Sequence, residues 1–157
     1  MMGDMDTQRN LHRGLFRAKT KQTHAWIEGA YLCHLNRTPY CWGDRVKPDD
    51  YQHLIIRDGF SDWGMPRDIE QVEIDPNTLG ECSGVEDKKG RMIYEGDIVK
   101  MRSYAGGTHN AVVYFERGKF AVDGSHYGFK DICSKSVEVI GNIHDTPEII
   151  NGGTGNE

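Results

Sequence analysis

From Arg13 the chain alternates apolar and polar positions: Phe16 and Ala18 fall on one side, Arg13, Leu15, Arg17 and Lys19 on the other. That period of two predicts a strand. Thr20 to His24 make a polar turn, and Trp26 to Leu35 (WIEGAYLCHL) has the composition of a second strand, so residues 13–35 are expected to form a hairpin. Asn36-Arg37-Thr38-Pro39 ends it, because proline cannot donate to a ladder. Residues 40–52 carry turn chemistry without periodicity, and His53 to Arg57 is a short strand stopped at Asp58-Gly59. Ser61 to Arg67 (SDWGMPR) reads as loop. Ile69, Val72 and Ile74, spaced by three and two, do not choose between helix and strand; an extended segment ending at Asp75-Pro76 is the favoured reading, with Pro76-Asn77-Thr78 able to open one short helical turn.

Beyond Leu79 the texture becomes short apolar runs punctuated by glycine. Asp87-Lys88-Lys89-Gly90 is a turn. Met92 to Tyr94 and Ile98 to Met101 are strands around Glu95-Gly96-Asp97. Ala111 to Glu116 turns at Arg117-Gly118 into Phe120 to Val122, Asp123-Gly124 turns again, and Val137 to Ile143 is the last strand. Regular spacing of short strands indicates an antiparallel barrel rather than alternating strands and helices. The expected organisation is a loose leader (1–12), an irregular β region (13–78), a small barrel (79–147) and a flexible tail (148–157), with little helix.

Charge and composition narrow the function classes. A formal net charge of -5 over 157 residues disfavours wholesale phosphate-backbone binding. It conceals a local exception: Arg9, Arg13, Arg17, Lys19 and Lys21 occur between Gln8 and Ala25 without an acid. A solvated strand face accounts for them, and a partner surface built on Arg13, Arg17 and Lys19 is the sharper alternative. No run approaches the ~20 apolar residues of a membrane span, and no secretory signal is visible, so a cytoplasmic setting is expected. Cys33, Cys41, Cys82 and Cys133 form no C-x-x-C pair and are expected as reduced thiols.

Candidate chemistry is sparse. Cys33, His34 and Cys41 form the densest set of metal-ligand types, but adjacent strand residues point to opposite faces, so no metal or cofactor is expected. Glu95 and Asp97, two residues apart, invite an acid–base reading as a small hydrolase. A bend at Gly96 with carboxylates accepting turn N–H groups explains the same residues. No nucleophile elbow or phosphate loop is present. Barrel aromatics, Tyr104 and Tyr127 among them, lie near Lys100, Arg102, Arg117 and Lys119, a mixture compatible with single-strand nucleic acid. Core and rim packing is the competing explanation.

One run is more specific. Leu79 to Lys100, LGECSGVEDKKGRMIYEGDIVK, resembles the signature of the YopX family of phage and prophage proteins, through Gly84, Asp87, Gly90, Tyr94, Glu95, Gly96 and Asp97. The stretch Val137 to Glu148, with Gly141-Asn142 at its centre, is similar to that family's E-V-I-G-N-I ending, and Phe16-Arg17-Ala18 matches its F-R-A-W opening, with Lys19 in place of the aromatic. The resemblance implies an amino-terminal β region joined to an SH3-like barrel, a phage origin, and no assigned reaction, cofactor or catalytic set. The functions weighed are therefore a non-enzymatic binding or assembly module acting through protein contacts or self-association, a nucleic-acid-associated protein, and a hydrolase through Glu95 and Asp97.

Overall fold

The computed structural model describes residues 14–41, 43–102, 107–122 and 137–152. The leader, Arg13, Tyr104, Tyr127 and the Asp123-Gly124 turn lie outside the described residues. The protein is mainly β, and the helical pieces among the described residues are short 3-10 turns. None of its described helices is long and apolar enough to cross a membrane. The chain divides into two compact units, Gly14–Leu79 and the residues from Gly80 onward.

The amino-terminal unit is an antiparallel meander of β1 (Leu15–Lys19), β2 (Trp26–Leu35), β3 (Tyr51–Asp58) and β4 (Ile69–Glu73), each strand paired with the next. The expected first hairpin is present, with Lys19 opposite Trp26 and Phe16 opposite Gly29. The meander curls until its ends meet: Thr20 bridges Ile74, Lys21 N–H donates to Glu73 O at 3.0 Å, and Asp75 N–H donates to Lys19 O at 2.9 Å. Inside the curl Ala18, Ile27, Ile55 and Ile74 are buried, with Phe16, Tyr31, Val72 and Leu79 packed against them. The curl demands close backbone approach at Gly29, where a Cβ would lie 2.3 Å from Ile56 O. The helical turn expected after β4 is the 3-10 turn Pro76–Thr78, capped by the Asp75 carboxylate, which accepts from Asn77 N–H at 3.0 Å.

In the carboxyl-terminal unit β7 (Asp97–Arg102), β8 (Thr108–Glu116), β9 (Lys119–Val122) and β10 (Glu138–Asn142) form a sheet in the order β10-β7-β8-β9. The hairpin of β5 (Gly80–Glu86) and β6 (Met92–Tyr94) packs on it through Val85 and Ile93, against Val99, Met101, Val113, Val122, Val137 and Val139. Full burial of a Val or Ile side chain contributes about 1.5–3 kcal/mol, so the five of this set at 0–1% exposure (Ile93, Val99, Val113, Val122 and Val137) each stabilise the unit on that scale.

The expected barrel is thus corrected to an open arrangement: the described strands do not close into one. The hairpin covers the face of the sheet rather than extending its ladder, touching it through tie points such as Lys88 N–H to Val137 O (3.0 Å) and Gly96 N–H to Val113 O (2.8 Å). A second correction concerns the expected tail only as far as residue 152, the last one described. Pro147–Gly152 forms a 3-10 helix, held where Asn110 Nδ2 donates to Ile149 O at 2.9 Å.

Candidate functional site

The glycines and carboxylates of the signature act as fasteners. Gly84 sits on β5 at φ +70 between the pairs Cys82/Tyr94 and Glu86/Met92, where the register shifts. Ser83 Oγ there reaches across to donate to Ile93 O at 2.7 Å. Gly90 closes the β5–β6 turn, its N–H donating to Asp87 O at 3.0 Å. The buried Asp87 carboxylate accepts from three backbone N–H groups: Lys89 (2.8 Å), Arg91 (2.9 Å) and, across the core, Val139 (3.0 Å). Burial opposes its ionisation, and the bonds from Arg91, Val139 and Lys89 outweigh burial, holding the carboxyl below its ordinary value.

Glu95 and Asp97 are not brought together as an acid–base pair facing a substrate. Gly96, at φ +82, turns the chain between them. Asp97 is fully buried and accepts from the N–H of buried Tyr94 at 2.9 Å, while Glu95 Oε1 accepts from Phe115 N–H at 3.3 Å. Both carboxylates bind backbone donors, as the turn explanation requires.

The Gly141-Asn142 pair combines a strand irregularity with a close approach of side chains. The β10–β7 register shifts between Val139 and Gly141. A Cβ on Gly141 would lie 2.2 Å from Thr146 Oγ1 and 3.2 Å from Ile149 Cδ1. Asn142 Oδ1 accepts from His144 and Asp145 N–H, each at 2.9 Å, and its Nδ2 donates to Asp145. This side chain shapes the turn that returns residues 147–152 to the sheet.

Among the described residues of the basic strand face, Arg17 and Lys19 pack on one aromatic ring. Arg17 is 7% exposed, with Cζ 4.7 Å from the centroid of the Trp26 ring, and Lys19 Nζ lies 5.4 Å from the same ring. Arg17 is therefore removed from the solvated or partner-facing surface expected of it. Of the aromatics near bases, Tyr94 is buried, and Phe115 pairs with Phe120 at 5.0 Å beside the Arg117-Gly118 hairpin tip.

Among the described residues no group of three His, Cys, Asp or Glu is placed to hold a metal. Cys33 lies opposite His53 on β2–β3, and His53 Nδ1 shares a 2.6 Å hydrogen bond with Tyr31 Oη. Burial, then hydrogen bonding to Cys33, raises the Tyr31 phenol above its ordinary value. An open groove of about 460 Å³ lies over Cys33 and His53, walled by Val46, Lys47, Pro48 and Tyr51.

The β2–β3 connection that forms the wall is ordered by one cation. Arg37 holds Asp50 in a bidentate pair (2.8 and 2.9 Å) and Asp44 at 2.6 Å, while the two carboxylates accept from Lys47 and Tyr40 N–H. The Arg37 hydrogen bonds, then the Lys47 N–H, push Asp50 down to about 2. Lys88 and Lys89 likewise push Glu138 to about 2. Carboxyls depressed in the folded state contribute stability above their unfolded values and lose it as pH falls through the folded ones. With unfolded values near ~4, the urea midpoint is expected to be flat from neutrality to about pH 5 and to fall between about pH 4 and 2. Asp50→Asn should remove part of that fall. An identical profile in this variant would show that the Arg37 cluster is not coupled to folding.

The feature that sequence reasoning missed is the β3–β4 loop. Trp63 is 103% exposed, Phe60 90%, Ile69 72% and Met65 64%. The available signal was the presence of Phe60, Trp63 and Met65 among turn-forming Gly59, Gly64 and Pro66, in a stretch with no strand period to bury them. Scattered apolar residues on a surface are ordinary, but four large ones in one ten-residue segment are not.

The molecule is thus a two-unit antiparallel β protein, fastened by buried carboxylates and close-approach glycines, that offers an aromatic loop to solvent. The sequence model described as YopX protein matches residues 15–151, and the chain belongs to the YopX family. No curated protein matches it. Among solved structures, protein EF1440 from Enterococcus faecalis is similar, with 22% identity, coverage of 86% of this chain and 96% of that one, and a TM-score of 0.49.

Proposed function

We propose that this YopX-family chain is a non-enzymatic binding module that acts through protein contacts inside the bacterial host of a phage or prophage. The observation that carries the reading is the solvent exposure of Phe60, Trp63, Met65 and Ile69 on and beside one loop. Large, stiff apolar side chains supply binding energy when a partner buries them. In the same reading the carboxyl-terminal unit is an opened SH3-like barrel, with the β5–β6 hairpin lying over its sheet. The nucleic-acid alternative has less support, because Arg17 is packed against Trp26.

A photoreactive residue in place of Met65 is expected to form a discrete protein adduct in host cells. The adduct should disappear in the Phe60→Ser/Trp63→Ser variant at unchanged melting temperature, and a photoreactive residue in place of Lys119 should not form it. Equal adducts from both positions, or their survival in the double variant, would overturn this reading.

A further inference from the structure

β4 borders the amino-terminal meander and pairs on one side with β3; among the described residues its other side has no continuous strand partner. The ladder phase is set by Gly59 N–H to Asp68 O (2.7 Å) and Ile74 N–H to His53 O (3.1 Å). Residues 68, 70, 72 and 74 therefore face β3, and alternation turns the N–H and C=O of Ile69 and Gln71 outward. Glu73 O, the next outward carbonyl, already accepts from Lys21 N–H. The open edge thus runs from Ile69 to Gln71, all exposed, directly beside the loop carrying Phe60, Trp63 and Met65.

Charge selects among occupants. Between Arg57 and Glu70 two arginines stand against four carboxylates (Asp58, Asp62, Asp68 and Glu70), a net of −2. The arginines are committed, Arg57 to Glu70 at 2.7 Å and Arg67 to Asp58 at 3.5 Å. A second copy paired edge to edge would gather the acids of two β4 strands and compete for Glu73 O. An anionic membrane surface would be repelled.

Resting on the protein-contact reading, we propose that this edge receives an extended, lysine- or arginine-bearing segment of another protein. The segment adds as a strand to β4, with its apolar side chains against Ile69, Met65 and Trp63. Main-chain bonds to an edge give affinity in such additions, and the flanking side chains give selectivity.

The probe is a short blocked peptide of alternating lysine and valine, compared with its glutamate–valine counterpart on the full chain at about 50 mM salt, where charge is weakly screened. The basic peptide is expected to bind at least about tenfold more tightly, a difference of ~1.4 kcal/mol. It should slow hydrogen exchange at the Ile69 and Gln71 amides. Gln71→Pro, which removes one outward donor at an edge that tolerates proline, and Trp63→Ser should each weaken it without lowering the melting temperature. Equal binding of the two peptides, or no protection at those amides, would overturn strand addition. So would dimerisation abolished by Gln71→Pro, or binding to phosphatidylcholine–phosphatidylglycerol vesicles in place of the peptide. Failure here alongside a specific adduct at position 65 would leave the broader protein-contact reading standing.

Discussion

Replacing Asp87 with Ala is expected to destabilise the carboxyl-terminal unit by about 3–4 kcal/mol, one of the two largest single-site effects anticipated in this chain. The carboxylate accepts from Lys89, Arg91 and Val139 N–H groups. The first two belong to a turn, where water can replace much of what is lost. Val139 is buried in β10, so its N–H would be stranded, at about 1–3 kcal/mol in addition to the charge-assisted bonds themselves. Asp87→Asn keeps the shape and one acceptor oxygen, and should lose roughly half as much. Urea denaturation at neutral pH, with amide exchange followed at β10, separates the cases. A loss under about 1 kcal/mol for Asp87→Ala, with β10 protection intact, would mean that this carboxylate does not tie the hairpin to the sheet.

The second large effect is expected in the other unit. In Gly29→Ala the new methyl would meet Ile56 O at 2.3 Å and Ile55 Cγ2 at 2.8 Å. A side chain could rotate away, but a strand carbonyl cannot, so β2 and β3 must separate near the pair Ala30/Ile56. Overpacking of this kind costs about 3 kcal/mol or more. Gly14→Ala is the comparison: its Cβ meets nothing within 4 Å, and the positive φ of +70 alone should cost about 1 kcal/mol. Thermal unfolding that gave the two variants equal midpoints would refute the close crossing at Gly29.

Local turn chemistry explains what was legible in the sequence. Arg117-Gly118, Glu95-Gly96-Asp97 and Asp87 to Gly90 announce their turns within four residues, and the strands beside them follow from period-two alternation. The irregularity at Gly141 belongs to the same local class, because glycine inside an apolar strand often marks a bulge. Non-local geometry was not readable. Thr20 meets Ile74 across more than fifty residues, and no periodicity encodes that curl. The same limit governs Arg17: its register partner Glu28 and the Trp26 ring that covers it follow from pairing, whereas a charge on a strand reads as solvated. Whether short strands with frequent turns curl into a small barrel or, as the described strands do, form a sheet with a hairpin over it is likewise not written in their spacing. The aromatic loop was invisible as a site because composition counts Trp63 and Phe60 without saying whether anything covers them.

The notch at Gly141 has a historical consequence. Because Thr146 Oγ1 occupies the space a Cβ would need, substitutions at the two positions are not interchangeable in order. A lineage that first gains a side chain at 141 passes through a clashing intermediate. One that first trims Thr146 to Ala gives up the hydroxyl's 3.2 Å bond from Asn142 N–H, and position 141 then takes a methyl group once Ile149 Cδ1, 3.2 Å away, gives by a few tenths of an ångström. The dipeptide and the threonine five residues later are thus expected to change as a set, with the threonine moving first.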